Sequence, residues 1–539
     1  MRGRARHLFG IVASAVVLAA LPAAARAAKV VRLAITEDPP QLDSTRASDT
    51  VSSFILGHIQ EGLTRDGPHQ DVVPGMAESW EIRDRGATFH LRKDARWSDG
   101  SPVTASDFVF AWRNVVDPAT ASEYAFIMYT VKNGEAVNAG KLPPSALGVR
   151  AQGDHVLEVE FERPCPYFLG LTAFKTFDPV PENFYRAHQG RYGATPADLL
   201  SNGPFVLTHW DHESSLVLEK NPLYWDAKSI RLDRIEIPYI TSDSNARLNL
   251  FRDGSVDFLE AIGRDESKRA QFERLPMKSF AVGALWYLLL NHRPDRPTAN
   301  AHLRRAIQLA YDPREFLSSV IGIPGTRPAR GIVPSWVEGV KETFRQEHPL
   351  APVLPDLPKA EHELELARAE MGGRIPPLSW LTFEGGGAQR EAEYFQYVLK
   401  TRLGLEVVID KQIFKQVLAK EYAGDFDIAV AGWVPDYADP MTFVDLYTSW
   451  NQNNYGAYRN ARYDSLVREA QETADPRARM DAMAAAEQIA MRDLVILPLY
   501  EDAIVYLQSP RVEGIIRRRI GPDPDLTHAF VVDEKRPGA

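Results

Sequence analysis

Residues 426–440 read F-D-I-A-V-A-G-W-V-P-D-Y-A-D-P. The run 426–432, apolar apart from Asp427, reads as a buried strand, and Trp433-Val-Pro-Asp436 ends it. The segments before it alternate: strand over 377–383, helix over 388–403, strand over 405–410, helix over 413–421, strand over 425–432. That order predicts an α/β lobe. In such lobes ligands bind beyond the carboxyl ends of strands, which is where Asp436 falls.

Asp436 itself admits four readings: a catalytic acid, a metal ligand, a turn residue, or the counter-charge of a ligand's amine. Asp439 lies three residues on and precedes Pro440, the position of a carboxylate that shapes a turn or caps the next helix, and only its spacing suggests a catalytic pair. His209-x-x-His212-Glu213 has the wrong order for a protease zinc motif. Glu384-Gly-Gly-Gly lacks the Lys-Ser/Thr of a nucleotide loop, though a helix N-terminus there could face an anion. No G-x-S-x-G elbow occurs, and Cys165, between two prolines, has no histidine near it in sequence to activate it. The expectation is a binding protein with no catalytic residue, no cofactor and no metal.

The ends and the composition bound the compartment. Met1 to His7 carries three arginines, an apolar run extends from Leu8 to Leu21, and small residues follow up to Ala28. This is the pattern of a cleavable secretory signal over 1–27, with an apolar core too short for a bilayer span. Cys165 is the single cysteine, so no intramolecular disulfide can form and no acylated cysteine follows the signal. Both facts predict a soluble periplasmic protein stabilised by a large core, which a chain of 539 residues, 45% hydrophobic, can build in two or three lobes. Removing the four signal arginines takes the formal charge from −10 to about −14, which argues against nucleic acid and anionic membranes as partners.

Elsewhere the chain shows neither a fixed repeat nor low complexity. A strand is expected over 30–35, running into the extended Glu37-Asp38-Pro39-Pro40, and a helix over 51–62. Thr104 and Asp107 form a capping box ahead of a helix whose Phe108, Ala111, Trp112 and Val115 share a core face. The prolines of 349–358 mark an extended loop, with helix resuming over 360–371.

Several blocks carry a family resemblance: P-G-M-A-E-S-W (74–80), F-H-L-R-K-D-A-R-W-S-D-G-S-P-V-T-A-S-D-F (89–108), S-N-G-P-F (201–205), K-N-P-L-Y-W (220–225), L-R-R-A-I-Q-L-A-Y-D (303–312) and G-W-V-P-D-Y-A-D-P (432–440). Together, in this order over nearly the whole exported chain, they resemble the peptide-binding proteins of bacterial ABC importers, within the peptide/nickel family 5 of extracellular solute-binding proteins. The resemblance implies an α/β, periplasmic-binding-protein-like trap (type II, cluster C), bilobal with an additional inserted lobe. The lobes would comprise 28–54 with 178–276 and 505–539 (lobe I), 55–177 (inserted lobe II) and 277–504 (lobe III). It implies a monomer that captures oligopeptides and delivers them to an inner-membrane permease.

In oligopeptide binders of this kind the aspartate of the G-W-x-x-D-Y block meets the peptide's α-ammonium, and Asp436 matches it. Gly432, Trp433 and Val434 would supply backbone partners by strand addition. Glu37, Asp38 and Tyr124 are similar in position to family ligand contacts. One departure is Val430, where the enteric oligopeptide binder carries an arginine able to hold the carboxylate of a bound tripeptide. Alternative family ligands are murein peptides, opines, oligosaccharides, haem and metal chelates, and a periplasmic chaperone is a further reading. Scattered histidines disfavour nickel.

Overall fold

In the computed structural model, residues 28–67, 71–188, 190–384 and 386–532 are described; the expected signal over 1–27 lies outside them. Eleven strands form one large mixed sheet that runs through two lobes. On the first lobe's side, Val30–Ile35 pairs in parallel with Arg234–Ile240 and with Phe258–Ile262, and the antiparallel strands Ser215–Lys220 and Phe205–Asp211 extend the sheet outward. On the other side, Ile428–Trp433 and Leu378–Phe383 pair in parallel, as do Leu378–Phe383 and Val407–Gln412, with the helix Gly386–Leu403 as the latter pair's crossover. This is the α/β alternation expected from the sequence.

Two long antiparallel strands, Met277–Leu290 and Ile496–Gln508, join the halves. At about 3.3 Å per residue each spans roughly 40 Å, long enough to belong to both lobes. Their pairing shifts register between Ala281 and Leu285, so the chain is least regular where it passes between lobes. Gly283 sits in this break, and a Cβ there would lie 2.6 Å from the Arg519 carbonyl oxygen. The strand therefore needs glycine where the C-terminal segment presses on it.

Side-chain alternation divides the large lobe into two cores. Leu285, Tyr287, Leu289, Leu381 and Ala429 pack on one face of the sheet; Leu288, Leu290, Trp380, Ile428 and Val430 pack on the other. Val430 is 1% exposed in that second core. It is a core residue, on the same face as Ile428 by the two-residue period of a strand, and offers no group to a ligand.

The third lobe is built on a four-stranded antiparallel sheet, Ala77–Arg83, Gly86–Leu91, Val156–Glu160 and Val149–Ala151, against which the helix Ala105–Val116 packs. Asp107 accepts from the Thr104 backbone N–H at 2.8 Å and from its hydroxyl at 3.2 Å, fixing the helix start. Trp112 is fully buried, donates its indole N–H to the Phe177 carbonyl at 2.9 Å, and meets the Phe177 ring edge-on at 5.1 Å. Its hydrogen bond and its packing are both satisfied, as a core tryptophan requires. The extended segment before the helix Leu357–Glu370 ends at Asp356, which caps Lys359, with Pro358 in the first turn.

Candidate functional site

A cavity of about 590 Å³ lies between the lobes, within the size range of small-ligand sites. Its wall includes the interlobe break at Val282, Gly283 and Ala284, and the segment following the strand Ile428–Trp433. Beyond Ala429 that strand loses its pairing with Leu378–Phe383 and is held only by Met277–Leu290. Gly432 and Val434 are exposed, so one backbone edge is open there. Val434, Pro435 and Asp436 line the cavity; Gly432 and Trp433 do not, and the Trp433 indole N–H is bound to Thr442 Oγ1 at 3.1 Å.

Asp439 shows how the loop that carries Asp436 is held. Both its carboxylate oxygens receive the Arg479 guanidinium at 2.7 Å, and Oδ1 also accepts the Met441 N–H at 2.9 Å. The carboxylate is thus spent on a buried bidentate pair and a cap, which closes the catalytic-pair reading of Asp436 and Asp439. Between these residues, the Tyr437 ring stacks on Tyr167 of the four-stranded lobe with centroids 4.5 Å apart and an interplanar angle of 8°.

Asp436 is only 7% exposed. Its Oδ1 accepts the Tyr124 hydroxyl at 3.4 Å across the lobe interface, and among the described residues no cationic side chain lies within 4.0 Å of it. Burial pushes its carboxyl up to about 6, against the pull of Lys175 and the Tyr124 hydrogen bond. Lys175, in the short turn Lys175–Phe177 of the four-stranded lobe, lines the same cavity, and burial lowers its ammonium to about 8. Tyr124 is raised by burial and by the charge of Asp436. A buried, under-neutralised carboxylate of this kind can accept a cationic group from a ligand.

Glu37 and Asp38 are not brought to this wall. Glu37 is exposed, and the Asp38 carboxylate turns the other way, taking the Trp210 indole N–H at 2.9 Å and sitting 2.8 Å from His212 Nδ1. His209 Nε2 instead meets Ser215 Oγ at 3.4 Å, so the two imidazoles of the His-x-x-His stretch have different partners. Cys165 is buried and its thiol is pushed up to about 12, which leaves it without thiolate character. Lys175 went unnoticed in the sequence. The basic run Arg517-Arg518-Arg519 reads in the sequence as an ordinary solvated surface feature, and this is corrected: Arg517 and Arg518 are turned inward onto Asp523 and Asp525, and Arg519 faces the cavity. Arg519 lines the cavity, donates to the Ala281 carbonyl at 3.3 Å, and has no carboxylate within 4.0 Å among the described residues.

An interlobe cavity, two strands passing between lobes and one exposed strand edge define a solute-binding trap. The chain belongs to family 5 of the bacterial extracellular solute-binding proteins, whose model (Bacterial extracellular solute-binding proteins, family 5 Middle) matches residues 71–455. This is a family of transport proteins, not enzymes. Among curated relatives, the dipeptide-binding protein DppE of Bacillus subtilis (strain 168) is 30% identical over 497 residues, covering 92% of this chain and 90% of the relative. The crystal structure of an oligopeptide ABC transporter substrate-binding domain from Bacillus anthracis str. Ames superposes with a TM-score of 0.82 at 34% identity, covering 94% of this chain and 99% of that one. Listeria monocytogenes OppA bound to peptide gives 0.81 at 30%, with 94% and 99% covered. Among the described residues no helix is long and apolar enough to cross a membrane.

Proposed function

We propose that this protein is the substrate-binding component of an ABC importer, that it captures oligopeptides in the periplasm, and that Asp436 neutralises their α-ammonium group. The observation that carries this reading is the Asp436 carboxylate: nearly buried at the lobe interface, facing the cavity, with no cation within 4.0 Å among the described residues. Burying a lone ammonium costs several kcal/mol or more, so an enclosed N-terminus needs such a partner. The open edge at Gly432, Trp433 and Val434 suits backbone pairing with an extended peptide, which binds without reading side chains. With Val430 in the core, Arg519 is the side chain we assign to a peptide carboxylate.

The export signal over 1–27 and a monomeric state belong to the same reading. We keep the lobe division expected from the resemblance, with the boundary at 54/55 moved to after Gln60 so that it does not cut the continuous helix Thr50–Ile59.

A ligand that binds only the native closed form raises stability by mass action, about 2.7 kcal/mol at a hundredfold excess over Kd. A thermal-shift screen with short peptides should therefore raise Tm. A rise with sugars or metal chelates alone contradicts the peptide reading, and an amidated peptide that shifts Tm as far as its free acid removes Arg519 from its role.

Affinity should also depend on pH. The ammonium requires ionised Asp436, whose carboxyl titrates at about 6, so affinity should fall about tenfold between pH 7 and pH 5. Ligand-free stability responds in the opposite sense. Because the folded-state value is raised above 3.8, the native state binds more protons than the unfolded chain between these values, and Asp436 becomes less destabilising as pH falls through 6. Calorimetry at several pH values checks the first effect; an affinity independent of pH across this window contradicts it.

A further inference from the structure

We propose that Lys175 and Asp436 together read the first residue of the ligand, so that the protein prefers peptides whose first residue carries a carboxylate beside its α-ammonium. This rests on the peptide reading given above and narrows its ligand class.

Lys175 is 8% exposed and lines the cavity, yet among the described residues its ammonium has neither a hydrogen-bond acceptor nor a carboxylate within 4.0 Å. Its contacts are ring faces, with Nζ 4.2 Å from the Phe174 centroid and 4.9 Å from that of Tyr124. Rings attract a cation, but they do not satisfy its three N–H donors. The carboxyl groups around it do not neutralise it at contact distance. Asp49 is committed to the Ser52 N–H at the start of the helix Thr50–Ile59, at 2.7 Å. Asp178, whose carboxyl is raised well above its ordinary value by burial and by the charge of Glu61, does not come within 4.0 Å of the ammonium. Asp436 faces Lys175 across the phenol of Tyr124, whose hydroxyl donates to Asp436 and whose ring lies against the ammonium.

The site therefore presents a carboxylate and an ammonium that flank one ring and stand too far apart to pair directly. A group that fits both bears a cation and an anion separated by a few covalent bonds. Two sources supply it in a peptide: an aspartate or glutamate side chain on the first residue, or the α-carboxylate of an N-terminal glutamate linked through its γ-carbonyl. A peptide with a neutral first residue satisfies Asp436 alone and must share it with the field of Lys175.

Titration calorimetry at pH 7 with Ala-Ala-Ala, Glu-Ala-Ala and γ-Glu-Ala-Ala tests this on wild type, Lys175→Met and Lys175→Gln. Wild type should prefer an acidic peptide over Ala-Ala-Ala by roughly tenfold or more, the scale of a charge-assisted hydrogen bond. A gain on Glu-Ala-Ala identifies the side chain as the anion; a gain on γ-Glu-Ala-Ala identifies the α-carboxylate. Both variants should lose the preference and bind Ala-Ala-Ala more tightly than wild type, a reversal of sign that a packing role for Lys175 does not produce. Peptide binding without preference in wild type, or an equal change for all three peptides in the variants, overturns this inference and leaves the peptide reading standing. If none of the three binds while the folded protein takes up other solutes, both fall.

Discussion

Asp436→Asn is expected to weaken binding of a peptide with a free N-terminus by roughly a hundred- to several-thousand-fold, the consequence of leaving about 3–5 kcal/mol of broken charge pairing in an enclosed site. Asparagine keeps the shape and can still accept the Tyr124 hydroxyl, so the interlobe contact at 3.4 Å survives and the loss is one of charge. Stability should move the other way. At pH 7 the buried carboxylate is ionised against a raised value of about 6, and the neutral amide removes that penalty. Lys175 loses its facing charge in the variant, which offsets part of the gain. The ligand-free variant should melt no lower than wild type while failing to bind, a separation that calorimetry and a melting curve read independently. A folded variant with wild-type affinity would reduce Asp436 to a turn residue.

The second large effect belongs to Arg479. Its guanidinium and the Asp439 carboxylate are both buried, joined by two bonds of 2.7 Å, and Arg479 also lies 5.5 Å from the Tyr167 ring. Arg479→Met keeps most of the volume but strands the Asp439 charge, and breaking one side of such a pair costs about 3–5 kcal/mol. Urea unfolding should show that loss. Because Asp439 anchors the loop that carries Asp436 and Tyr437, peptide affinity should fall with it. A loss below about 1 kcal/mol is the range of an exposed pair, and would contradict the buried, loop-holding role.

Local order was legible where local rules govern it. The strand Val30–Ile35, the start of the helix Ala105–Val116 and the alternating elements of the large lobe follow from apolar period, caps and breakers. Asp436 could be singled out because a strand end, two prolines and a family block coincide there. Long-range pairing was not legible. Nothing near Lys175 in sequence announces that it faces Asp436, because packing of one lobe against another brings them together. Asp38 stands in an extended segment that resembles a ligand contact, but Trp210 in the strand Phe205–Asp211 and His212 just after it capture it. Val430 is the instructive case: Ile428 and Val430 share a face by strand period, which marks the position as core, so the group that meets a peptide carboxylate had to be sought elsewhere, and nothing in the sequence pointed to Arg519.

The most direct test of the central claim is a calorimetric cycle at pH 7 pairing wild type and Asp436→Asn with one peptide in its free and N-acetylated forms. Acetylation removes the ammonium and the substitution removes the carboxylate, so if the two groups meet, each change alone should weaken binding strongly and the second should add little once the first is made. The account predicts that strong non-additivity. Losses that simply add would mean that the ammonium and Asp436 do not interact, and would contradict the account at its centre.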